Sequence, residues 1–235
     1  MSNIEVCLSP VLFDDDKIHK KTVVVIDILR ATTTINAALA NGANAVIPVI
    51  SPGECEEYDN VKNHILAAER KGDKVKGFSY GNSPLEYTQE VVKNKTLVLT
   101  TTNGTKAIRI AEDAKNLFIG SFTNINALCK HLKSMKQDII LFCSGWKDTP
   151  CLEDTIFAGA CIDILDDFVL SNDSAILAYN SFKSYENNIF KAIQKCGHYD
   201  RLKTIVSEKE LKYCATYDVI NIVSEYKNGK IKIVS

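Results

Sequence analysis

The chain has 235 residues and a mass of 26.1 kDa, enough for one large α/β domain or two small ones with a sizeable core, which excludes a disulfide-stapled miniprotein. Apolar residues make up 46% and charged residues 24%, and 28 Lys+Arg stand against 29 Asp+Glu, so no basic excess marks the chain for nucleic acid or an anionic membrane. Eight scattered cysteines without a C-x-x-C pair, no basic and apolar leader, and apolar runs far shorter than the roughly 20 residues of a bilayer span predict reduced thiols, a cytoplasmic location and no membrane segment.

From the start, short β-branched runs alternate with stretches of helical spacing. Strands are predicted over 4–9, 22–29, 45–51, 96–101, 117–121 and 138–144, and helices over 31–41, 53–71, 84–93, 104–114 and 124–135. That alternation predicts an α/β fold of three layers, with helices on both faces of a largely parallel, mixed sheet. After 150 the pattern changes. LEDTIFAGACIDILDDF and AILAYNSFKSYENNIFKAIQKCG read as two long helices, followed by shorter helical pieces over 198–216. The tail VINIVSEYKNGKIKIVS predicts a hairpin turning at Asn228-Gly229. No Pro- or Ser-rich linker divides the chain, so a single domain over 1–235 is expected, alternating over 1–150 and helix-rich over 151–235.

A faint internal repeat sets TTTINAALANGANAVIPV, from Thr32, over NGTKAIRIAEDAKNLFIG, from Asn103, so that Thr34 falls on Thr105. Each copy reads as strand, Thr-rich turn, helix and strand, which fits either duplicated halves or two similar crossovers. In both cases the turns lie where strands end and helices begin. Open α/β sheets bind ligands there, and helix amino termini offer unpaired N–H groups to an anion.

The first turn holds Asp27, Arg30, Thr32 and Thr33. A carboxylate inside VVVIDIL is costly to bury unless a cation or several hydrogen bonds receive it. Asp27 therefore reads as a metal ligand, with Arg30 on a phosphate or sulfonate, or else as a strand-end acid paired with Arg30 or capping the helix. The second turn offers Thr101, Thr102, Asn103, Gly104 and Thr105: hydroxyls, an amide, and a glycine that lets backbone N–H groups approach a ligand. An ordinary Asn/Thr cap fits those residues as well. Asn82, in Gly81-Asn82-Ser83-Pro84, precedes a further helix start. At the third junction Glu153 and Asp154 open an otherwise apolar helix. First-turn acids complement the helix dipole, and hard oxygen ligands facing Asp27 also suit Mg²⁺.

Several chemistries are missing. There is no C-x5-R thiol-phosphatase loop, no Arg-His-Gly, no P-loop, no H-E-x-x-H and no G-x-S-x-G. The four histidines, at 19, 64, 131 and 198, lie far from the three turns in sequence and are expected on surfaces or helix faces.

The run VVIDILRATTTI, then FSYGNSPLEY, LTTTNGT and CSGW…LEDTIFAG, closely resembles the 2-phosphosulfolactate phosphatase family, with its D-x-x-R-A-T-T, T-T-N-G-T and E-D…A-G motifs in order. Lys195-Cys196-Gly197…Asp200…Cys214…Asp218 also fits that family's closing pattern, so the similarity spans almost the whole chain. The resemblance implies a Mg²⁺-dependent hydrolase that converts 2-phosphosulfolactate to sulfolactate and phosphate on the route to coenzyme M. Two departures stand out. Ala68-Glu69-Arg70-Lys71-Gly72 keeps the Glu-Arg of the usual G-E-R-G-G and loses its flanking glycines, and Trp146-Lys147-Asp148-Thr149-Pro150 occupies the loop after Ser144.

The expectation is therefore phosphomonoester hydrolysis of a small anionic substrate, with Asp27, Arg30, Glu153 and Asp154 catalytic. Asp27, Glu153 and Asp154 would hold Mg²⁺. Arg30, Thr32, Thr33, Asn82 and Thr101 to Thr105 would bind substrate. No nucleic-acid or membrane partner is expected, and a homodimer is allowed for. The rival is a non-catalytic anion-binding or sensing module built on the same helix ends, which has no reason to place three acids beside its donors.

Overall fold

The run Thr22–Ile26 reads TVVVI and is buried at every position, as a strand covered on both faces must be. It is β2 in a computed structural model that describes residues 2–234; Met1 and Ser235, the ends of the expected domain, lie outside the described residues. The other strands are β1 (Asn3–Cys7), β3 (Ala45–Pro48), β4 (His64–Arg70), β5 (Asp73–Lys74), β6 (Thr96–Thr100), β7 (Asn116–Gly120), β8 (Ile139–Cys143), β9 (Val169–Leu170), β10 (Ser224–Lys227) and β11 (Lys230–Ile233). The helices are α1 (Ala31–Ala40), α2 (Pro52–Glu56), α3 (Gln89–Val92), α4 (Gly104–Ile110), α5 (Ile125–Met135), α6 (Leu152–Ile164), α7 (Asp173–Lys183), α8 (Ile189–Ile193), α9 (Gly197–Leu202) and α10 (Glu208–Cys214).

All strands join one sheet in the order β5-β4-β6-β3-β11-β10-β7-β2-β8-β1-β9. Alternate residues of β2 serve opposite faces. Val24 and Ile26 pack with α5, α6 and α7, whereas Val23 and Val25 pack with α1 and α4, giving the three expected layers. Among the described residues no helix is long and apolar enough to cross a membrane.

The predicted tail hairpin is β10-β11, and Asn228 and Gly229 both have positive φ, 52° and 78°, as a two-residue turn matched to strand twist requires. It sits in the middle of the sheet. β10 runs antiparallel to β7, and β11 runs antiparallel to β3. The hairpin therefore joins two parallel blocks of opposite direction: β7-β2-β8 on one side and β3-β6-β4 on the other. Counted outward from it, β7 matches β3, β2 matches β6 and β8 matches β4, so β2-α1-β3-α2-β4 recurs as β6-α4-β7-α5-β8. The repeat seen in sequence is thus repeated in the sheet.

Three predicted helices need correction. The stretch 53–71 is the short α2 followed by β4, because Ile65, Ala67, Ala68 and Glu69 are buried beside β6 in register from His64↔Thr96 to Ala68↔Thr100. Leu, Ala, Glu and Arg favour helix only weakly, and pairing with a buried neighbour overrides that preference. Over 84–93 only Gln89–Val92 is helical. The long helix read over 175–197 breaks after α7, and Asn188 starts α8 by accepting a hydrogen bond from Lys191 N at 2.9 Å.

Candidate active site

The chain leaves β2 at Asp27 and enters α1 through a turn closed by its own side chains. Asp27 N donates to Thr32 Oγ1 (3.2 Å), Thr32 Oγ1 donates to Asp27 O (2.8 Å), and Ala31 N donates to Asp27 Oδ1 (3.3 Å). The turn after β6 has the same skeleton. Thr101 N donates to Thr105 Oγ1 (3.1 Å), Thr105 Oγ1 donates to Thr101 O (3.0 Å), and Thr105 N donates to Thr101 Oγ1 (3.1 Å). These bonds make Asp27 the counterpart of Thr101, and they match Thr105 with Thr32 rather than with Thr34, which instead donates to Asn82 O at 3.0 Å. Thr33 Oγ1 likewise donates to Ile28 O at 3.1 Å. The hydroxyls of Thr32, Thr33, Thr101 and Thr105 are thus engaged in building the turns.

The two turns meet. A Cβ on Gly104 would lie 2.4 Å from Ala31 Cβ and 2.8 Å from Asp27 Oδ2, so only glycine lets α4 start against that carboxylate. Glu69, at the end of β4, accepts from Thr102 N (3.0 Å) and Thr102 Oγ1 (3.1 Å) and also receives Gly72 N. Arg30 is 4% exposed; it donates to Glu210 on α10 and, at 2.6 Å, to Gly72 O.

At the third junction Asp154 accepts from Ile28 N (2.9 Å) and Gly145 N (3.4 Å), tying the loop after β2 to the loop after β8. Glu153, 2% exposed, bonds His198 Nδ1 through Oε1 at 2.8 Å, while its Oε2 has no partner. The cluster of acids is electrostatically unsettled. Burial pushes the Asp27 carboxyl up to about 6, opposed by the His198 charge and aided by Glu69 and Glu153. Asp154 is driven well above the usual carboxylate range by burial and then by Glu153 and Asp27. Burial would raise Glu153 too, but the hydrogen bond and charge of His198 outweigh it and hold that carboxyl below its ordinary value. Ligand atoms of Cys151, Glu153 and His198 lie within 4.8 Å of one another, close enough for one metal ion.

Asp27, Arg30, Glu69, Asn82, Asn103 and His198 line a small inner recess. It adjoins an outer cleft of about 490 Å³, the two sharing Thr102, Asn103 and Arg201. The structure thus brings Asp27, Arg30, Asn82, Thr102, Asn103 and Gly104 together, with Glu153 reaching the recess through His198. His198, expected on a surface or a helix face, lies on α9 and from there reaches Glu153 and the recess, a role the sequence distance from the turns did not suggest. The sequence reading also missed Cys151, Arg201 and Glu210 as parts of the site, and took Glu69 only as a fragment of a motif. Ser207, whose hydroxyl accepts from Glu210 N at 3.3 Å, announces a helix start there but says nothing of Arg30.

The sequence pattern of the 2-phosphosulpholactate phosphatase family matches residues 7–229. A Clostridium novyi protein called "Probable 2-phosphosulfolactate phosphatase" is 40% identical over 233 residues, which cover 97% of this chain and 98% of that protein. One of the same name from Clostridium tetani is 39% identical over 232 residues, covering 98% and 100%. Another, from Caldanaerobacter subterraneus, is 36% identical over 225 residues, covering 93% of each. The family match takes in β2 to β10, the three junctions and α9, and the chain belongs to the 2-phosphosulpholactate phosphatase family.

Proposed function

We propose that this chain hydrolyses the phosphomonoester of 2-phosphosulfolactate, or of a closely related anionic phosphorylated hydroxy acid, with Mg²⁺ as its cofactor. One observation carries the reading. Among the described residues, the buried side-chain polar atoms without a hydrogen-bond partner are Asn82 Oδ1, Ser144 Oγ, Glu153 Oε2 and Arg201 Nε. They are far apart in sequence, yet all belong to the two adjoining recesses or to the acid bonded to His198. Buried polar groups are nearly always paired, so four orphans in one place mark a site awaiting ligands.

In charge, the donor set suits a divalent cation. Asp27, Glu69, Glu153 and Asp154 are buried together, and Arg30, which borders them, is already tied to Glu210. Asp27, Glu153 and Asp154 would hold the ion, with Asp154 the most constrained because a backbone N–H already occupies each of its oxygens. When bound, Mg²⁺ supplies charge neutralisation at the phosphoryl oxygens and acidifies water. Arg30, fixed by two partners, keeps N–H groups for the phosphoryl oxygens. Asn82, Asn103 and the start of α4 at Gly104 complete the anion cradle, while Thr102 gives its donors to Glu69 and Thr32, Thr33, Thr101 and Thr105 hold the turns in shape.

The closeness of Cys151, Glu153 and His198 favours a second reading of the cofactor alone: a softer ion such as Zn²⁺ on thiolate, carboxylate and imidazole. Phosphate release from 2-phosphosulfolactate, phospholactate and a neutral alkyl phosphate, measured after chelation and re-addition of single metals, tests both. Mg²⁺ is expected to restore turnover. Restoration by Zn²⁺ alone moves the ion to Cys151, Glu153 and His198, and full activity in excess chelator removes the metal from the mechanism. Binding without phosphate release under any metal leaves the non-catalytic anion module. The product, sulfolactate, is the intermediate through which the resemblance links this reaction to coenzyme M.

A further inference from the structure

The outer cleft collects more positive charge than chemistry at the inner recess requires. Lys71, Lys106, Lys147 and Arg201 line it against one acid, Asp148. The three lysines are exposed. Arg201 differs from them because its Nε is buried without a partner; its guanidinium lies 5.1 Å from the centre of the Trp146 ring, which Lys147 Nζ also approaches, at 4.6 Å. Stacking on an indole holds a guanidinium in place and leaves its in-plane N–H groups free to meet an anion. Trp146 is itself fixed. Its N donates to Thr149 O at 2.9 Å, and its O accepts from Thr149 N at 3.0 Å and from Thr149 Oγ1 at 2.6 Å. The same cleft contains Ser144, 3% exposed, whose hydroxyl is also buried and unpaired. Two orphaned donor groups therefore border one cationic cleft, and Arg201 borders the inner recess as well.

We infer that this cleft binds a second anionic group of the substrate, a sulfonate or carboxylate close to the phosphate ester, with Arg201 as the specificity-determining residue and Ser144 as the second donor. The assignment rests on the hydrolase reading for what the anion is attached to; its binding needs no turnover. It also accounts for the departure of residues 146–150 from the family pattern, because that loop supplies the indole on which Arg201 rests.

Trp146 is the single tryptophan of the chain, so its fluorescence reports on the cleft directly. The full-length protein with Mg²⁺ would be titrated with sulfolactate and with lactate, following tryptophan emission and binding heat together. Sulfolactate is expected to change the emission saturably. Arg201→Met should weaken its binding about 10- to 100-fold, the range of a lost hydrogen bond to a charged group. Arg201→Lys, which keeps charge and stem but not the fork, should lie between the two. Lys130→Met, an equal loss of charge on the exposed side of α5, should bind as wild type does. Equal binding of sulfolactate and lactate supports a carboxylate as the group held, and tighter binding of sulfolactate supports the sulfonate. Wild-type affinity in Arg201→Met, or no anion binding by the wild type, overturns the inference. Saturable binding by a protein that releases phosphate from no ester would instead sink the hydrolase reading and leave the cleft standing.

Discussion

The turn after β2 and the turn after β6 are closed by the same hydrogen bonds, but Asp27 stands in the first where Thr101 stands in the second. The second copy shows what such a turn needs in order to fold: a hydroxyl bridging the amide and carbonyl at the end of the strand, and a polar oxygen to receive an amide of the next helix. Thr101 meets the latter need without charge. Asp27 meets it with one carboxylate oxygen and leaves the other facing Gly104 at the cost of an unfavourable ionisation. Folding therefore does not explain the charge. The comparison implies that the first copy carries chemistry and that the second is shaped to make room for it.

Replacing the first turn's residue by the second's is the strongest test. Asp27→Thr should fold, since Thr101 already closes such a turn, and should lose about 10³-fold or more in kcat/KM; Asp27→Asn, which keeps the shape, should do the same. Stability should move the other way. The folded-state carboxyl titrates at about 6, above its ordinary 3.8, so ionisation favours the unfolded chain and metal-free stability declines as pH rises through that interval. Thermal melts in chelator should show a smaller decline in Asp27→Thr, and added Mg²⁺ should raise the melting temperature of the wild type more than that of the variant. Wild-type turnover in either variant would reduce Asp27 to a cap.

The contact between the copies comes next in size. Gly104→Ala places a methyl group against Ala31 Cβ and Asp27 Oδ2, and neither neighbour is the free end of a flexible chain. It should cost about 1–3 kcal/mol by overpacking. Displacing Asp27 by a fraction of an ångström to an ångström should also lower kcat by about 10²-fold. A variant that melts like the wild type and turns over normally would mean that the turns are farther apart than described.

A matched pair separates folding from function within the shared skeleton. Thr32→Val and Thr105→Val each strip the hydroxyl that bridges a buried amide and carbonyl, so each should destabilise by about 1–3 kcal/mol in chemical denaturation. The activity losses should differ, with Thr32→Val slower because its turn aims Asp27. Equal losses of rate would deny the division of labour.

Much of this was legible in sequence where a local rule governs. Continuous apolar runs marked β2, β6, β7 and β8, the Asn228-Gly229 pair marked the hairpin, and a lone acid inside VVVIDIL marked Asp27. What escaped depends on partners distant along the chain. β4 is a strand because β6 lies beside it, and nothing within HILAAER outweighs its helical composition. His198 joins Glu153 from 45 residues away and Glu210 reaches Arg30 from 180, so their meeting belongs to the topology and not to any spacing. Arg30 illustrates the limit. Its place at the site could be read from the motif, but its buried carboxylate partner could not, and that partner fixes the guanidinium in place.

The smallest effect is expected at the strand neighbouring β2. In register, Cys143 on β8 lies across from Ile26 just as Ala68 on β4 lies across from Thr100, so the first copy carries an alanine where the second has a thiol. Cys143 is the obvious rival nucleophile, at a strand end one residue before Ser144 in the cleft. Nucleophilic attack needs the thiolate, and burial, followed by the Asp154 charge, pushes this thiol well above its ordinary range. The neighbourhood that would make a cysteine reactive, a cation or a free helix amino terminus, is replaced here by carboxylates. Cys143→Ala copies the residue that the repeat already tolerates in a buried strand. It should cost about 1 kcal/mol or less of stability for one lost buried atom and retain most of the metal-dependent rate. Rapid-quench labelling that trapped a phosphocysteine, or a rate loss in Cys143→Ala as deep as that in Asp27→Thr, would transfer the chemistry from the first turn to β8.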